Sequence, residues 1–364
     1  MKVLEKFKSA QLAAGLADNM AGRLHRPVVF MEFCGGHTVE IVKTGLRRML
    51  PPHIRLLSGP GCPVCVTHPS GIDKAMAAAK IPGVIVTTFG DMLKVPGSHG
   101  SLQDARARGS DVRVVYSAAD AVSIARNHPH KNIVFVGIGF ETTAPTIAAA
   151  VLEAREKNLR NFHLISLQKL CPPIMKEMLN AGEIKLDGIL CPGHVSAVIG
   201  VEPYEFIPQN YGVACAVSGF EPLDILFSLG RLCEQIGAGR PRVDLVYRRG
   251  VRPEGNQTAI DIIAQVFEKC SARWRGFGWV SQSGLKLRPE FCNFDAEAVF
   301  DLQTESCPEP KHCICSSILR GIKSPPDCSL FGKRCRPEHP VGPCMVSSEG
   351  SCAAFLNYGG NHER

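Results

Sequence analysis

Sixteen cysteines stand in this chain of 364 residues, and half of them fall between residues 292 and 364. Four of that half, Cys313, Cys328, Cys335 and Cys352, read C-x14-C-x6-C-x16-C, with Cys315 and Cys344 interleaved. Four soft thiolates drawn from a Pro- and Gly-rich tail can hold an iron–sulfur cluster, which tolerates irregular backbone. Structural zinc is the competing chemistry, but its ligands usually come as C-x2–4-C hooks. Only Cys313-Ile314-Cys315 and Cys62-Pro63-Val64-Cys65 come near that pattern. Disulfides belong to oxidising compartments and short secreted chains. Residues 1–26 alternate charged and small residues without the apolar run of a signal peptide, so a cytoplasmic address is expected. On spacing alone, cluster, zinc and free or disulfide-bonded thiols all stay open.

Four short turns carry the other reactive side chains. Cys34-Gly35-Gly36-His37 sets a thiol close to an imidazole, which could help the thiol ionise, although a small buried cysteine in a tight turn is the plainer alternative. Cys62-Pro63-Val64-Cys65 has the spacing of a redox dithiol, which in a reducing cytosol means catalysis or metal binding. The helix after it is expected to begin near Ser70, leaving both sulfurs ahead of its dipole. Gly139-Phe140-Glu141-Thr142-Thr143-Ala144-Pro145 sets Glu141 beside a helix N-terminus, where the charged form is favoured; it either caps that helix or takes part in proton transfer. His194, after Pro192-Gly193, is either a hydrogen-bonded turn residue or a contact to whatever fills the site. Cys171, Cys215, Cys233 and Cys270 lie in apolar or helical surroundings and are expected to be buried and inert, as are Cys292 and Cys307.

The elements that hold these turns repeat one pattern eight times: a β-branched apolar run, a Gly- or Pro-rich turn, then a helical stretch. The runs cover 28–33, 54–57, 84–88, 112–116, 133–138, 163–167, 188–190 and 213–217. Continuous apolar strands alternating with helices indicate parallel sheets covered on both faces. The expected fold is α/β: two Rossmann-like lobes with parallel four-stranded sheets facing a cleft, plus a small irregular or helical iron–sulfur domain; a single barrel is the second choice. The boundaries follow as a helical segment over 1–25, lobe I over 26–125, lobe II over 126–235, and a linker helix with the cysteine-rich domain over 236–364. Ligands approach such sheets at the carboxyl ends of the strands, where all four reactive turns fall. A capping box at Ser70 and Asp73, a threonine cap at Thr143, and the i, i+3, i+4, i+7 series Ile260, Ile263, Ala264, Phe267 mark three helices.

Composition narrows the class. No stretch reaches the ~18 apolar residues of a membrane helix. A net charge of +7 with 7% aromatics lacks the basic stripe and stacking residues of nucleic-acid binding.

Taken together, Cys34-Gly35-Gly36-His37, Gly59 to Cys65, Gly139 to Pro145, Pro192 to Ser196 with Gly200, and Val341 to Cys352 resemble the HypD family of hydrogenase maturation proteins over nearly the whole chain. Val39-Glu40 stand where many relatives have a second histidine, so no role is given to two imidazoles at that turn. The resemblance implies a metallocofactor assembly scaffold rather than a simple turnover enzyme. Such a protein joins the small chaperone HypC, accepts cyanide from HypE, and builds the Fe(CN)2CO unit that the hydrogenase large subunit later receives; it would be a monomer within hetero-complexes. Carried over by motif, Cys34 looks like the thiolate holding that iron, with Cys62 and Cys65 a redox dithiol near it. Cys313, Cys328, Cys335 and Cys352 look like [4Fe–4S] ligands, leaving Cys315 and Cys344 as a redox pair. His37, Glu141 and His194 would bind the growing iron unit or manage protons. A stand-alone iron–sulfur thiol/disulfide oxidoreductase is the alternative; it would need the dithiol but has no evident use for the Cys-Gly-Gly-His turn.

Overall fold

The computed structural model describes residues 10–24, 26–302, 304 and 312–359. Its strands in chain order are β1 (Val28–Glu32), β2 (Ile54–Ser58), β3 (Val84–Thr88), β4 (Val112–Val114), β5 (Asn132–Gly139), β6 (Phe162–Gln168), β7 (Gly188–Pro192), β8 (Ala214–Ser218), β9 (Val243–Leu245), β10 (Phe267–Trp274) and β11 (Gly278–Leu287). All eight apolar runs form strands. β3 and β8 are buried at every position, as parallel strands covered on both faces must be.

β1 to β9 pair in parallel within two sheets, ordered β2-β1-β7-β8-β9 and β4-β3-β5-β6. The α/β class and the two lobes are as expected, but one sheet has five strands. The boundary expected between residues 125 and 126 is not where the sheets divide. One lobe takes β3 to β6 from a continuous stretch, whereas the other joins β1 and β2 to β7, β8 and β9 from either side of it. Apolar periodicity marks a strand as parallel and buried but carries no record of its neighbour. The chain therefore crosses between lobes twice, after β2 and after β6, and the Cys62/Cys65 turn lies on the first crossing.

In each sheet the strand order reverses once, between β1 and β7 and between β3 and β5. Crevices open outside the carboxyl ends of strands at such switch points. Here both switch points face one cleft.

Residues 236–364 were expected to be a linker helix and an irregular domain, yet they also supply β9 to the larger sheet and the antiparallel hairpin β10–β11. The hairpin clamps the turn that follows Cys65: Arg275 N–H donates to Val66 O at 2.9 Å, and its buried guanidinium donates to Thr67 O at 3.1 Å. The cysteine-rich tail then packs across the first lobe. Its helix Ser351–Tyr358 lies on the helix Gly35–Thr44, Arg47 stacks 5.1 Å over Phe355, and Arg320 pairs with Glu183 at 2.5 Å.

Three helix starts need comment. Helix Pro69–Ala79 is capped by the His68 ring, which accepts from Ser70 N–H at 3.2 Å, and not by Ser70. Asp73 is drawn away to Ser98, accepting from its N–H and hydroxyl at 2.7 and 2.6 Å. Thr143 does precede helix Ala144–Glu156, but its hydroxyl donates back to Phe140 O at 3.1 Å and caps nothing. Helix Gln257–Val266 forms as the apolar series predicts, with Phe267 already at its end. Within the 1–25 segment, the helix Ala10–Ala21 is described, while residues 1–9 and 25 lie outside the described residues. No helix among the described residues is long and apolar enough to cross a membrane.

Candidate metal centre and thiol chain

The cleft between the switch points has a volume of about 470 Å³. Cys34 (after β1), Gly61 (after β2), Asp91 (after β3), Thr142 and Thr143 (after β5) and His194 (after β7) line it, and the tail closes it with Ser347, Ser348 and Glu349. Four sequence turns distant in the chain thus meet where two crevices coincide. Sulfur, imidazole and two carboxylates border it, but among the described residues no three of them stand close enough to hold one metal ion, so an ion bound at Cys34 would need ligands from outside the chain.

Cys34 sits at the cap position of helix Gly35–Thr44, in extended backbone. Its amide donates to Glu32 Oε2 at 2.8 Å, and Thr38 Oγ1 donates to the other oxygen of the same buried carboxylate. Burial pushes the Cys34 thiol up to about 12; the charges of Glu349 and Glu32 add to this, and the amides of Gly36 and His37 offset only part of it. The imidazole does not help the thiol ionise, contrary to the sequence expectation. His37 is fully buried and donates its Nε2–H to Gly219 O at 2.9 Å, and burial lowers its pKa to about 4, so it is neutral. A metal ion would have to supply the charge that displaces the Cys34 proton.

His37 and His194 flank Phe220, their ring centroids 4.6 and 3.8 Å from its own. His194 keeps an exposed edge on the cleft. Phe220 escaped the sequence reading, although Gly219-Phe220-Glu221-Pro222 directly follows the eighth apolar run. Glu32 escaped too, because a single acid at the end of an apolar strand looks like a strand terminus.

The glycines around Cys34 are needed for close approach. A Cβ on Gly61 would stand 2.3 Å from the Cys34 amide nitrogen, and one on Gly35 would meet Glu349 at 2.6 Å. Gly35 N–H also donates to Gly61 O at 2.9 Å, fixing the first turn to the second.

Glu141 does not join this group. It is 3% exposed, accepts from Cys171 N–H at 2.8 Å, and so caps helix Cys171–Ala181 rather than the helix that follows it in sequence. It lines a separate groove of about 960 Å³ between that helix, helix Gln257–Val266 and the hairpin. Burial raises its pKa to about 7, outweighing the amide bonds that were expected to favour its charge. Its Oε2 has no hydrogen-bond partner among the described residues. A carboxyl whose folded pKa lies above its unfolded value supports folding most below pH 4.5, and that support is lost as the pH rises through 7. Glu141→Gln should therefore unfold later than wild type at pH 8, by on the order of 3 kcal/mol, with the gap closing at pH 4.5. Urea titrations at the two pH values measure it; equal midpoints at pH 8 would refute the assignment.

Behind the cleft wall the thiols form a chain. Helix Pro69–Ala79 does begin beyond both sulfurs, as expected, but Cys62 also caps a one-turn helix of its own, Pro63–Val66. Its sulfur accepts from Cys65 N–H at 3.3 Å and lies 2.6 Å from Cys65 Sγ, and both residues are free and buried. Cys65 touches Cys344, and Cys344 in turn touches Cys315 and Cys352. Cys313, Cys315, Cys328, Cys335, Cys344 and Cys352 enclose one gap walled by Ile318, Leu330, Phe331 and Met345. Cys335 Sγ accepts from Val341 N–H at 3.3 Å, the kind of outer contact that steadies a thiolate ligand. The soft donor set and apolar wall fit an iron–sulfur cluster. Among the described residues no three of these donors stand at the spacing a single metal ion needs. Of the cysteines expected to be inert, Cys171, Cys215 and Cys233 are buried, Cys270 is half-buried and Cys292 is exposed, carried out on the short turn after the hairpin. Cys307 lies outside the described residues.

Comparison with known proteins agrees in one direction. The HypD family model, described as "Hydrogenase formation hypA family", matches residues 9–359. The chain is 43% identical to hydrogenase maturation factor HypD2 of Bradyrhizobium diazoefficiens and 43% identical to hydrogenase maturation factor HypD of Cupriavidus necator. It is 44% identical to hydrogenase maturation factor HypD of Azotobacter vinelandii. Each alignment covers 99% of this chain and 97% of the relative.

Proposed function

The chain belongs to the HypD family of hydrogenase maturation factors, and on that premise we propose that it is the cytoplasmic scaffold on which an Fe(CN)2CO unit is assembled together with the small chaperone HypC. The observation that carries this is the position of Cys34: a single half-buried thiol where two topological switch points share one cleft. The iron is cargo, held by Cys34 and a partner's ligand, while His194 presents its exposed edge to the diatomic groups.

Cyanide would arrive on a carrier thiol of HypE as a thiocyanate. Releasing it breaks a sulfur–carbon bond and takes two electrons and one proton, yielding the carrier thiol and cyanide. Oxidation of Cys62 and Cys65 to a disulfide supplies two electrons and two protons, so one proton is left over for the cleft or solvent. Thiol–disulfide exchange with Cys344, in contact with Cys65, would then return the pair to its reduced state and leave the oxidation on Cys344 and Cys315. Cys313, Cys328, Cys335 and Cys352 are suited to hold a [4Fe–4S] cluster, which when bound supplies single electrons to that pair.

The alternative of a stand-alone thiol oxidoreductase leaves Cys34 and the cleft around it without a role. Anaerobic co-purification with the small chaperone, followed by infrared and visible spectroscopy, tests the proposal. Cyanide and carbonyl bands with iron–sulfur absorbance are expected. A colourless, zinc-containing complex without those bands would overturn it.

A further inference from the structure

A second pocket, of about 190 Å³, opens on the far side of the hairpin from the large groove, between the start of helix Pro69–Ala79, β6 and the inner edge of β10–β11. At ~30 Å³ per water it has room for about six waters or one small organic acid. Lys169 stands in its wall with only 6% of its surface exposed. Its stem is buried while its ammonium opens on the pocket, so any acceptor has to come from what fills that space. Lys169 has no hydrogen-bond or ion-pair partner among the described residues; its ammonium lies 6.0 Å above the Trp274 ring. Burial pulls its pKa down to about 8, which leaves it largely protonated at neutral pH.

Arg273, half-buried, borders the same pocket. Its Nε is buried without a partner, and its guanidinium lies 5.9 Å over Trp279. Of the other charges there, Lys74 pairs with Glu297 and Lys286 with Glu268 at 2.9 Å, while Asp295 accepts from Glu297 N–H at 2.9 Å, an amide bond that leaves its charge unpaired. The first turn of helix Pro69–Ala79 also faces the space, adding the positive end of its dipole. The lining carries Lys74, Lys169, Arg273 and Lys286 against the carboxylates of Asp295 and Glu297, and neither carboxylate pairs with Lys169 or Arg273.

We propose that this pocket binds a small molecule through an oxyanion group, phosphate or carboxylate, held between Lys169 and Arg273. The site is separate from the Cys34 cleft and would bind without any partner protein. The wall between them is aromatic: Phe140 lines the cleft and stacks 6.1 Å from Trp274, the ring beneath Lys169.

The two tryptophans of the chain both border the proposed cations, so intrinsic fluorescence reports on the site. The full chain, purified anaerobically, is titrated with inorganic phosphate, with acetate, and with sodium chloride as the ionic-strength control. A saturable change with phosphate or with acetate, absent with chloride, is expected, and the anion that gives it identifies the head group. Lys169→Met should weaken that binding roughly tenfold or more, while Lys169→Arg keeps it within about threefold. If Lys169→Met proves poorly folded by circular dichroism, Arg273→Gln provides the same test from the more open side. No saturable change with either anion, or an unaltered titration in Lys169→Met and Arg273→Gln, would overturn the proposal.

Discussion

Cys34→Ala is expected to abolish the cyanide and carbonyl infrared bands of the purified chaperone complex while leaving its iron–sulfur absorbance intact. The separation follows from the fold. Cys34 lies at the end of β1 on the cleft, whereas the six tail thiols enclose their own gap behind it. Alanine removes one sulfur and little volume, and the Glu32 contacts to the Cys34 amide and to Thr38 do not depend on that sulfur. The turn should keep its shape and lose only its soft donor. Bands of wild-type intensity in this variant would remove Cys34 from the metal centre.

Cys62→Ala and Cys65→Ala, each alone, should give the same spectroscopic loss for a different reason. Iron would still reach Cys34, because neither sulfur lines the cleft. What fails is the two-electron step, since one thiol cannot close a disulfide. Iron bound without cyanide is therefore the expected product, measured as metal content against band intensity. Normal bands in both variants would sink the redox role of this pair and leave it a buried structural contact between the crossing and the tail. Cys65 has the more constrained position, touching both Cys62 and Cys344. Its substitution should also leave the Cys315/Cys344 pair reduced, because oxidation can no longer reach Cys344 by exchange.

Much of this was legible in the residues. Every β-branched run became a strand, and the turns carrying Cys34, Cys62, Thr143 and His194 all lie at carboxyl ends, as continuous apolar strands in parallel sheets require. Lobe membership was not legible, because a parallel strand can pair with any other at the end of a long enough crossover. The same gap hid the partners of the site. Phe220 stacks on two histidines from the helices that follow β1 and β7, and Glu349 reaches Gly35 from the opposite end of the chain. Glu141 was misjudged for a related reason: its neighbours in sequence suggested one helix, and the fold gave it another. Lys169 carried no signal at all, since a lysine next to an apolar strand reads as a solvated end until its burial is seen.

The interleaving of the two lobes has a consequence for the order in which a growing chain can fold. β3 to β6 form their sheet from contiguous residues, so that lobe can close early, with short loops and local contacts. β1 and β2 emerge first from the ribosome but must wait for β7 and β8 before their sheet has a middle. Cys34 hangs on that late junction, and Glu349 seals it only once the tail has been made. The site that is to hold a reactive metal is thus among the last parts of the molecule to exist, and a truncated or half-synthesised chain has no place to trap the ion.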